Sequence, residues 1–390
     1  MAEPRLYFDY NATAPLRPAA RDAMAAALSE TGNASSVHAE GRAARKRIEA
    51  GRRAVAALVG ADPRRVVFTS GGTEANDTVL VADWTFAGRP HRADVLVTSA
   101  VEHASVLSGG RFPADAVRRV PVDGNGILRL DALRRVLAGL SEAGLRPLVS
   151  VMLANNETGV IQPVAEIAAI AREAGAIVHT DAVQAAGRIP VDVAALGVDV
   201  LTLSAHKIGG PQGIGAIVLA GDDLAFAPML VGGGQETRRR AGTENVAAIA
   251  GFGAAAAAAA GDAANWPVWQ GWRDALAHTI SNSGVPATVF GDEAARVPQT
   301  LCIGIEGVPA ETLVIALDLA GVAVSSGSAC SSGKVAPSHV LEAMGVPGEI
   351  AKTAIRLSLG WQTEDRSLDL FANRWRSVLK LVAPGHIRAA

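Results

Sequence analysis

Val200-Leu201-Thr202-Leu203-Ser204-Ala205-His206-Lys207, continued by Ile208-Gly209-Gly210-Pro211-Gln212-Gly213, is the stretch on which the fold turns. Its first half is a short apolar run of strand length, and its second half is a glycine-rich bend. A lysine directly after a strand is held at the strand's carboxyl end, where open α/β sheets bind their ligands. An amine held there can form an imine with an aldehyde cofactor. Taken in isolation, a Ser-x-His-Lys favours a plainer reading, a surface lysine in a turn.

Outward from this stretch, short apolar runs alternate with helical patterns. Strands are expected at residues 65–69, 94–98, 148–152, 176–180, 198–203 and 214–219, and helices at 74–86, 132–140 and 164–174. Such alternation implies right-handed crossovers and a largely parallel sheet covered on both faces. Beyond about residue 261 the pattern changes, and residues 299–305, 312–319 and 354–359 read as a smaller α+β unit. A closing helix over 365–380 is expected from the spacing of Leu368, Leu370, Phe371, Trp375, Val378 and Leu379. The alanine-rich stretch 246–261 has glycines inside and charge just outside, which reads as a buried helix rather than a membrane span.

The 390 residues are enough for one large domain and a smaller one, and a 49% hydrophobic, 19% charged composition supplies a sizeable core. With 36 basic against 38 acidic residues, nothing points to nucleic acid or an anionic membrane as partner. Two cysteines, Cys302 and Cys330, are too few for a disulfide framework and suit a reducing compartment. The start, Met1-Ala2-Glu3-Pro4-Arg5, lacks a basic-then-apolar leader pattern, and a cytoplasmic setting is expected.

Three more motifs follow predicted strands. His179-Thr180-Asp181-Ala182-Val183-Gln184 puts a carboxylate where it can keep a pyridine nitrogen protonated, although an aspartate there is also an ordinary helix cap. Phe68-Thr69-Ser70-Gly71-Gly72-Thr73-Glu74 joins strand, glycine pair and helix, a phosphate cradle of backbone N–H groups or simply a tight turn. No Gly-Lys-Ser/Thr follows, so it is not a Walker loop. Val101-Glu102-His103-Ala104-Ser105 places an imidazole that can stack on a ring and shuttle protons, though a lone histidine is more often structural.

Together these motifs resemble the cysteine desulfurases, the NifS/IscS-like branch of the class V aminotransferases, which are fold-type I pyridoxal 5'-phosphate enzymes. The resemblance runs from Tyr7-Phe8-Asp9-Tyr10-Asn11-Ala12-Thr13 to Ile355-Arg356-Leu357-Ser358-Leu359-Gly360. It passes through Asn155-Asn156-Glu157-Thr158-Gly159, Gly232-Gly233-Gly234-Gln235-Glu236, Ala241-Gly242-Thr243-Glu244-Asn245 and Ser325-Ser326-Gly327-Ser328-Ala329-Cys330-Ser331-Ser332. It implies an α/β fold with a large cofactor-binding domain (14–261) and a small domain (1–13 and 262–390) that carries the cysteine loop, about 325–338. It implies that Lys207 forms the imine with pyridoxal phosphate, that Asp181 pairs with the ring nitrogen, that Gln184 contacts the ring hydroxyl and that His103 stacks on the ring. Gly72, Thr73, Ser204 and His206 would hold the phosphate, helped by Thr243 from the other subunit of a homodimer. Asn156, which would also contact the cofactor, and Arg356 would bind the substrate carboxylate, a task that suits the planar fork of arginine.

Cys330 separates desulfuration from the other chemistries of this fold. A run of small residues around it has little capacity to pack, so the thiol is expected on an exposed, mobile loop that takes sulfur from L-cysteine as a thiolate and hands it outward. Most cysteines are spectators, and Cys302, in apolar Thr300-Leu301-Cys302-Ile303, reads as one. The implied products are L-alanine and a persulfide on Cys330, passed to an acceptor such as an iron–sulfur scaffold protein. A selenocysteine lyase or a small-substrate aminotransferase is the alternative. The chain departs from the family at Ala34 in Asn33-Ala34-Ser35-Ser36, where proline is common, and at Thr237-Arg238, where relatives carry Arg-Gly.

Overall fold

The computed structural model describes residues 4–327 and 338–383. Its centre is a seven-stranded sheet of β1 (Val66–Thr69), β2 (Val95–Ser99), β3 (Val117–Val120), β4 (Pro147–Ser150), β5 (Ile177–Asp181), β6 (Val200–Ser204) and β7 (Gly215–Leu219). The order across the sheet is β1-β7-β6-β5-β4-β2-β3. Strands β2 to β6 pair in parallel, and β7 runs antiparallel between β6 and β1.

Both faces of the sheet are apolar, which is why its strands read as unbroken hydrophobic runs. Phe68, Val97, Val149, Val178, Leu201 and Val218 enter one core, together with Ile48, Val55 and Phe252 from covering helices. Their alternating neighbours Val67, Leu96, Leu148, Ile177, Val200 and Ile217 enter the core on the other face. The helix Val246–Gly261 packs against Pro18–Leu28 and Ala39–Leu58 in the first core. The run Val246–Ser281 is long and apolar enough to cross a membrane, but Ala248, Ile249, Phe252, Ala255 and Ala256 are buried against this sheet.

Asp83–Phe86 corrects the expectation of a helix over 74–86. The helix Gly72–Val79 stops there, and Asp83–Phe86 forms a hairpin strand with Arg89–Arg92 that also pairs with Leu224–Phe226. Trp84, Thr85 and Phe86 favour extended backbone, and Ala87 and Gly88, at φ of 49° and 75°, make the turn.

A second sheet, of β8 (Ala287–Val289), β9 (Thr300–Ile305), β10 (Ser325–Ser326) and β11 (Ala354–Ser358), is antiparallel in the order β8-β9-β11-β10. Leu301, Ile303, Ile355 and Leu357 pack with Leu313, Phe371 and Trp375 from helices Ala310–Leu319 and Asp365–Val382. Leu6 and Phe8 join this second core, and Leu6–Tyr7 pairs in parallel with Val322–Ala323. The N-terminal segment then crosses to the first sheet, where Ala14 N–H donates to His206 O at 2.8 Å.

Candidate active site

A cavity of about 570 Å³ opens where β1, β2, β4, β5 and β6 end. Gly72, Thr73, His103, Asn156, Asp181, Gln184, Ser204, His206, Lys207 and Arg356 all line it. Five strand ends deliver most of these residues, as an open parallel sheet does at its carboxyl edge. Arg356 alone arrives from the second sheet, on β11. Thr243 is exposed and is not among the lining residues, and Cys330 lies outside the described residues.

Lys207 follows β6 in a single 3₁₀ turn, and its Nζ donates to Asn11 O at 2.6 Å and Ala12 O at 2.8 Å. The amine is thereby held by backbone carbonyls of the N-terminal crossing segment. Asp181 ends β5 and is only 6% exposed. One carboxylate oxygen accepts from Val183 N at 2.9 Å and the other from Asn76 Nδ2 at 2.8 Å.

Behind Asp181 runs a buried polar chain. Thr202 Oγ1 donates to Asn76 Oδ1 at 2.6 Å, so it accepts from His179 Nε2 at 3.1 Å. His179 Nδ1 then accepts from Ser150 Oγ at 2.8 Å. This network assigns the Nε2–H tautomer to a neutral ring, and burial pushes the His179 pKa down to about 4. Asn76 is thereby pinned with its amide nitrogen toward Asp181.

His103 caps the short helix Ala104–Leu107, its Nδ1 accepting from Ser105 N at 3.2 Å with Ser105 Oγ at 2.8 Å. The proton of the neutral ring therefore sits on Nε2. Burial holds its pKa below the usual imidazole value, Asp181 opposes that shift, and Lys207 and His339 reinforce it. His206 is likewise lowered to about 4 by burial, then by Lys207 and Arg188.

Arg356 is 3% exposed; its guanidinium donates to Asn156 O at 2.9 Å and Asp9 Oδ1 at 2.8 Å. Its Nε is buried without a hydrogen-bond partner. Glu157 stands beside it, accepting from Ser338 Oγ, and burial pushes its pKa up to about 7 against the pull of Ser338 and Arg356. Glu102, with no exposed surface, accepts from Ser99 Oγ and Met152 N, and burial raises it to about 8. Cys302 is fully buried, and burial holds its thiol far above the ordinary range, which suits an inert core residue.

This donor set fits pyridoxal phosphate. A primary amine and a buried carboxylate face one cavity, and the N-terminus of Gly72–Val79 opens into it. A Cβ at Gly72 would stand 3.2 Å from Val183 Cγ2 and 3.5 Å from Ser204 Cβ, so a side chain there would narrow the cradle. Among the described residues no group of three or more potential metal ligands occurs.

A sheet of this order, with lysine and aspartate at adjacent strand ends, defines the chain as an α/β enzyme of the aminotransferase type. It belongs to the aminotransferase class-V family, whose model matches residues 6–371. A cysteine desulfurase from Cereibacter sphaeroides is 43% identical over 371 residues, covering 94% of this chain and 93% of that protein. An IscS-like cysteine desulfurase from Mycobacterium tuberculosis is 39% identical over 372 residues, covering 93% of each. The X-ray structure of a NifS-like protein from Rickettsia africae superposes with a TM-score of 0.83 at 33% identity, over 96% of this chain and 99% of that one.

Several residues at the site went unassigned in the sequence. Asn11 lies inside a quoted motif, but its contacts are with residues more than 140 positions away. Asn76 lies one helical turn past Gly72-Thr73, a spacing that could have singled it out as facing the cavity. Ser338 and His339 carry no local signal.

Proposed function

We propose that this protein is a cysteine desulfurase that uses pyridoxal phosphate to convert L-cysteine and the thiol of Cys330 into L-alanine and a Cys330 persulfide. The observation that carries the reading is the convergence of Lys207, Asp181, His103 and Arg356 on one cavity in a chain of this family. Pyridoxal phosphate, when bound, supplies an aldehyde that condenses with amines and an electron-withdrawing ring that stabilises negative charge at the substrate's Cα.

Residues of the chain do the rest. Lys207 would hold the cofactor, and its amine would move the proton at the substrate's Cα. Asp181, kept oriented by Asn76 and Val183 N, keeps a proton on the ring nitrogen. Gln184 would donate to the ring hydroxyl, and Gly72, Thr73, Ser204 and His206, which line the same cavity, would hold the phosphate. Thr243 of a second copy completes that cradle in a homodimer. Arg356 receives the substrate carboxylate with Asn156, and its unpartnered Nε gives it unmet capacity to do so. His103, neutral in this setting, exchanges a proton with the substrate sulfur or Cβ. The Cys330 thiolate forms the S–S bond as the Cβ–S bond breaks, and a proton completes the methyl group of alanine. A cytoplasmic sulfur acceptor, such as an iron–sulfur scaffold protein, then takes the outer sulfur.

Mass spectrometry of the protein after brief exposure to L-cysteine, with alanine measured in parallel, tests the proposal. One sulfur atom added at Cys330 with alanine released supports it. Pyruvate or a transaminated product without added sulfur refutes it and moves the chain to an aminotransferase reading.

A further inference from the structure

We propose that Arg188 is a positioning residue that fixes the Gln184 amide with its nitrogen available to the cofactor and seats the backbone of Lys207. The inference rests on the function proposed above. Arg188 lies one helical turn's spacing after Gln184, is 4% exposed, and has no carboxylate partner among the described residues. A guanidinium buried without a counter-charge is costly unless its donors are all used. Burial, and secondarily Arg356, lower its pKa to about 9.

The fork is spent on neutral oxygens of the site. Nη1 donates to Asn11 Oδ1 at 2.8 Å and to Gln184 Oε1, while Nη2 donates to Lys207 O at 3.0 Å. Longer contacts of 3.4 Å reach Gln184 O and Tyr10 O. With the Gln299 amide turned so that its oxygen faces the guanidinium, it accepts from Nη1 at 3.1 Å and Nε at 3.2 Å.

A guanidinium has five donors and no acceptor, so only the oxygen of Gln184 can face it. That leaves Nε2 on the other side, where it donates one hydrogen to Asn11 O at 3.0 Å and keeps the second. Gln184 therefore offers the cavity a donor, the group an ionised ring hydroxyl requires. Asn11 O also receives Lys207 Nζ at 2.6 Å, and Asn11 Oδ1 is itself held by Arg188. One side chain thus ties together the amine, the amide and the carbonyl that both of them use. Lysine at 188 keeps the charge but cannot reach these acceptors at once.

The test uses the cofactor-loaded protein, Arg188→Lys and Gln184→Glu. The measurements are the pyridoxal phosphate dissociation constant, the visible absorption of the cofactor at Lys207 with its pH midpoint, and the melting temperature. The wild type is expected to show the visible band. Arg188→Lys should bind the cofactor about tenfold more weakly, with the band midpoint displaced. Gln184→Glu, which gives Arg188 a carboxylate but the cavity only acceptors, should melt no lower than wild type, bind about tenfold more weakly and show a displaced midpoint. Arg188→Lys with wild-type affinity and midpoint, altered only in melting temperature, overturns the inference. So does Gln184→Glu with a wild-type band, which keeps the question decidable if Arg188→Lys does not fold. A wild-type protein that takes up no pyridoxal phosphate fails earlier and removes the functional proposal itself.

Discussion

Lys207 and Cys330 divide the proposed reaction between them, and substitution should separate their tasks. Lys207→Ala removes both the cofactor anchor and the group that moves the Cα proton, a step worth about 10²–10⁴-fold by itself. Alanine release from L-cysteine should fall at least that far. Sustained alanine release by Lys207→Ala would remove the lysine from its role. Cys330→Ala should still bind the cofactor and respond spectroscopically to L-cysteine, but add no sulfur on a mass spectrum. Arg356→Lys keeps a charge but gives up the planar fork that also holds Asp9 and Asn156 O, so KM for L-cysteine should rise about tenfold or more. A variant with unchanged KM would mean that the carboxylate is bound elsewhere. At this scale the sequence was legible where a functional residue ends a strand, because the strand run marks the place and the residue type marks the chemistry. It was silent on Asn11 and Arg188, whose meaning lies in partners brought close only by the fold.

Among the elements, β7 and the loop after residue 231 carry the clearest physical demands. A Cβ on Gly215, at the start of β7, would lie 2.6 Å from Gly71 C and 2.7 Å from Leu203 O. No side chain fits there without moving the turn that leads to Gly72. Gly215→Ala should therefore cost about 1–3 kcal/mol by denaturant unfolding and also weaken cofactor uptake. Stability lost without any change in uptake would mean that the turn is not coupled to the cradle. In the loop, Glu236, Thr237 and Arg238 have φ of 46°, 54° and 64°, a left-handed run that glycine would adopt more easily. Glu236 anchors it, accepting from Arg52 Nη1 and Nη2 at 2.8 Å each and from Phe68 N at 2.9 Å on β1. This buried pair holds down the left-handed run at Glu236–Arg238. Glu236→Ala leaves buried Arg52 only Val66 O and its longer, partly exposed pair with Glu49 at 3.3 Å, and about 3 kcal/mol should be lost in urea unfolding. A loss below about 1 kcal/mol would show that the loop does not depend on the pair. The strands of the central sheet were legible because both faces are apolar. The hairpin at Asp83–Phe86 was not, because its apolar residues follow directly on the preceding helix, and it is pairing with Arg89–Arg92 and with distant Leu224–Phe226 that holds it extended.

For the whole molecule, the buried ionisable groups around the cavity set a pH profile of stability. Burial lowers His179 and His206 from 6.5 to about 4, so the unfolded chain binds more protons than the folded one between those values. Stability from these histidines is complete above pH 6.5 and is lost as pH falls toward 4. Burial raises Glu157 from 4.5 to about 7 and Glu102 from 4.5 to about 8, so here the folded chain binds more protons. Their contribution has the opposite sign, being complete below 4.5 and lost as pH rises toward 8. The two slopes oppose each other between 4.5 and 6.5, and only the glutamates act above that. Urea unfolding of the cofactor-free protein should accordingly show a nearly level stability from about pH 5 to 6.5. A decline of about 2 kcal/mol should follow by pH 8. Glu157→Gln, which can still accept from Ser338, should remove the earlier part of that decline, and Glu102→Gln the later part. Stability that instead stays level between pH 6.5 and 8 would mean that both carboxyls are already ionised in the fold. Glu157 would then carry a full negative charge beside Arg356, and the cavity would repel the substrate carboxylate that Arg356 is proposed to receive.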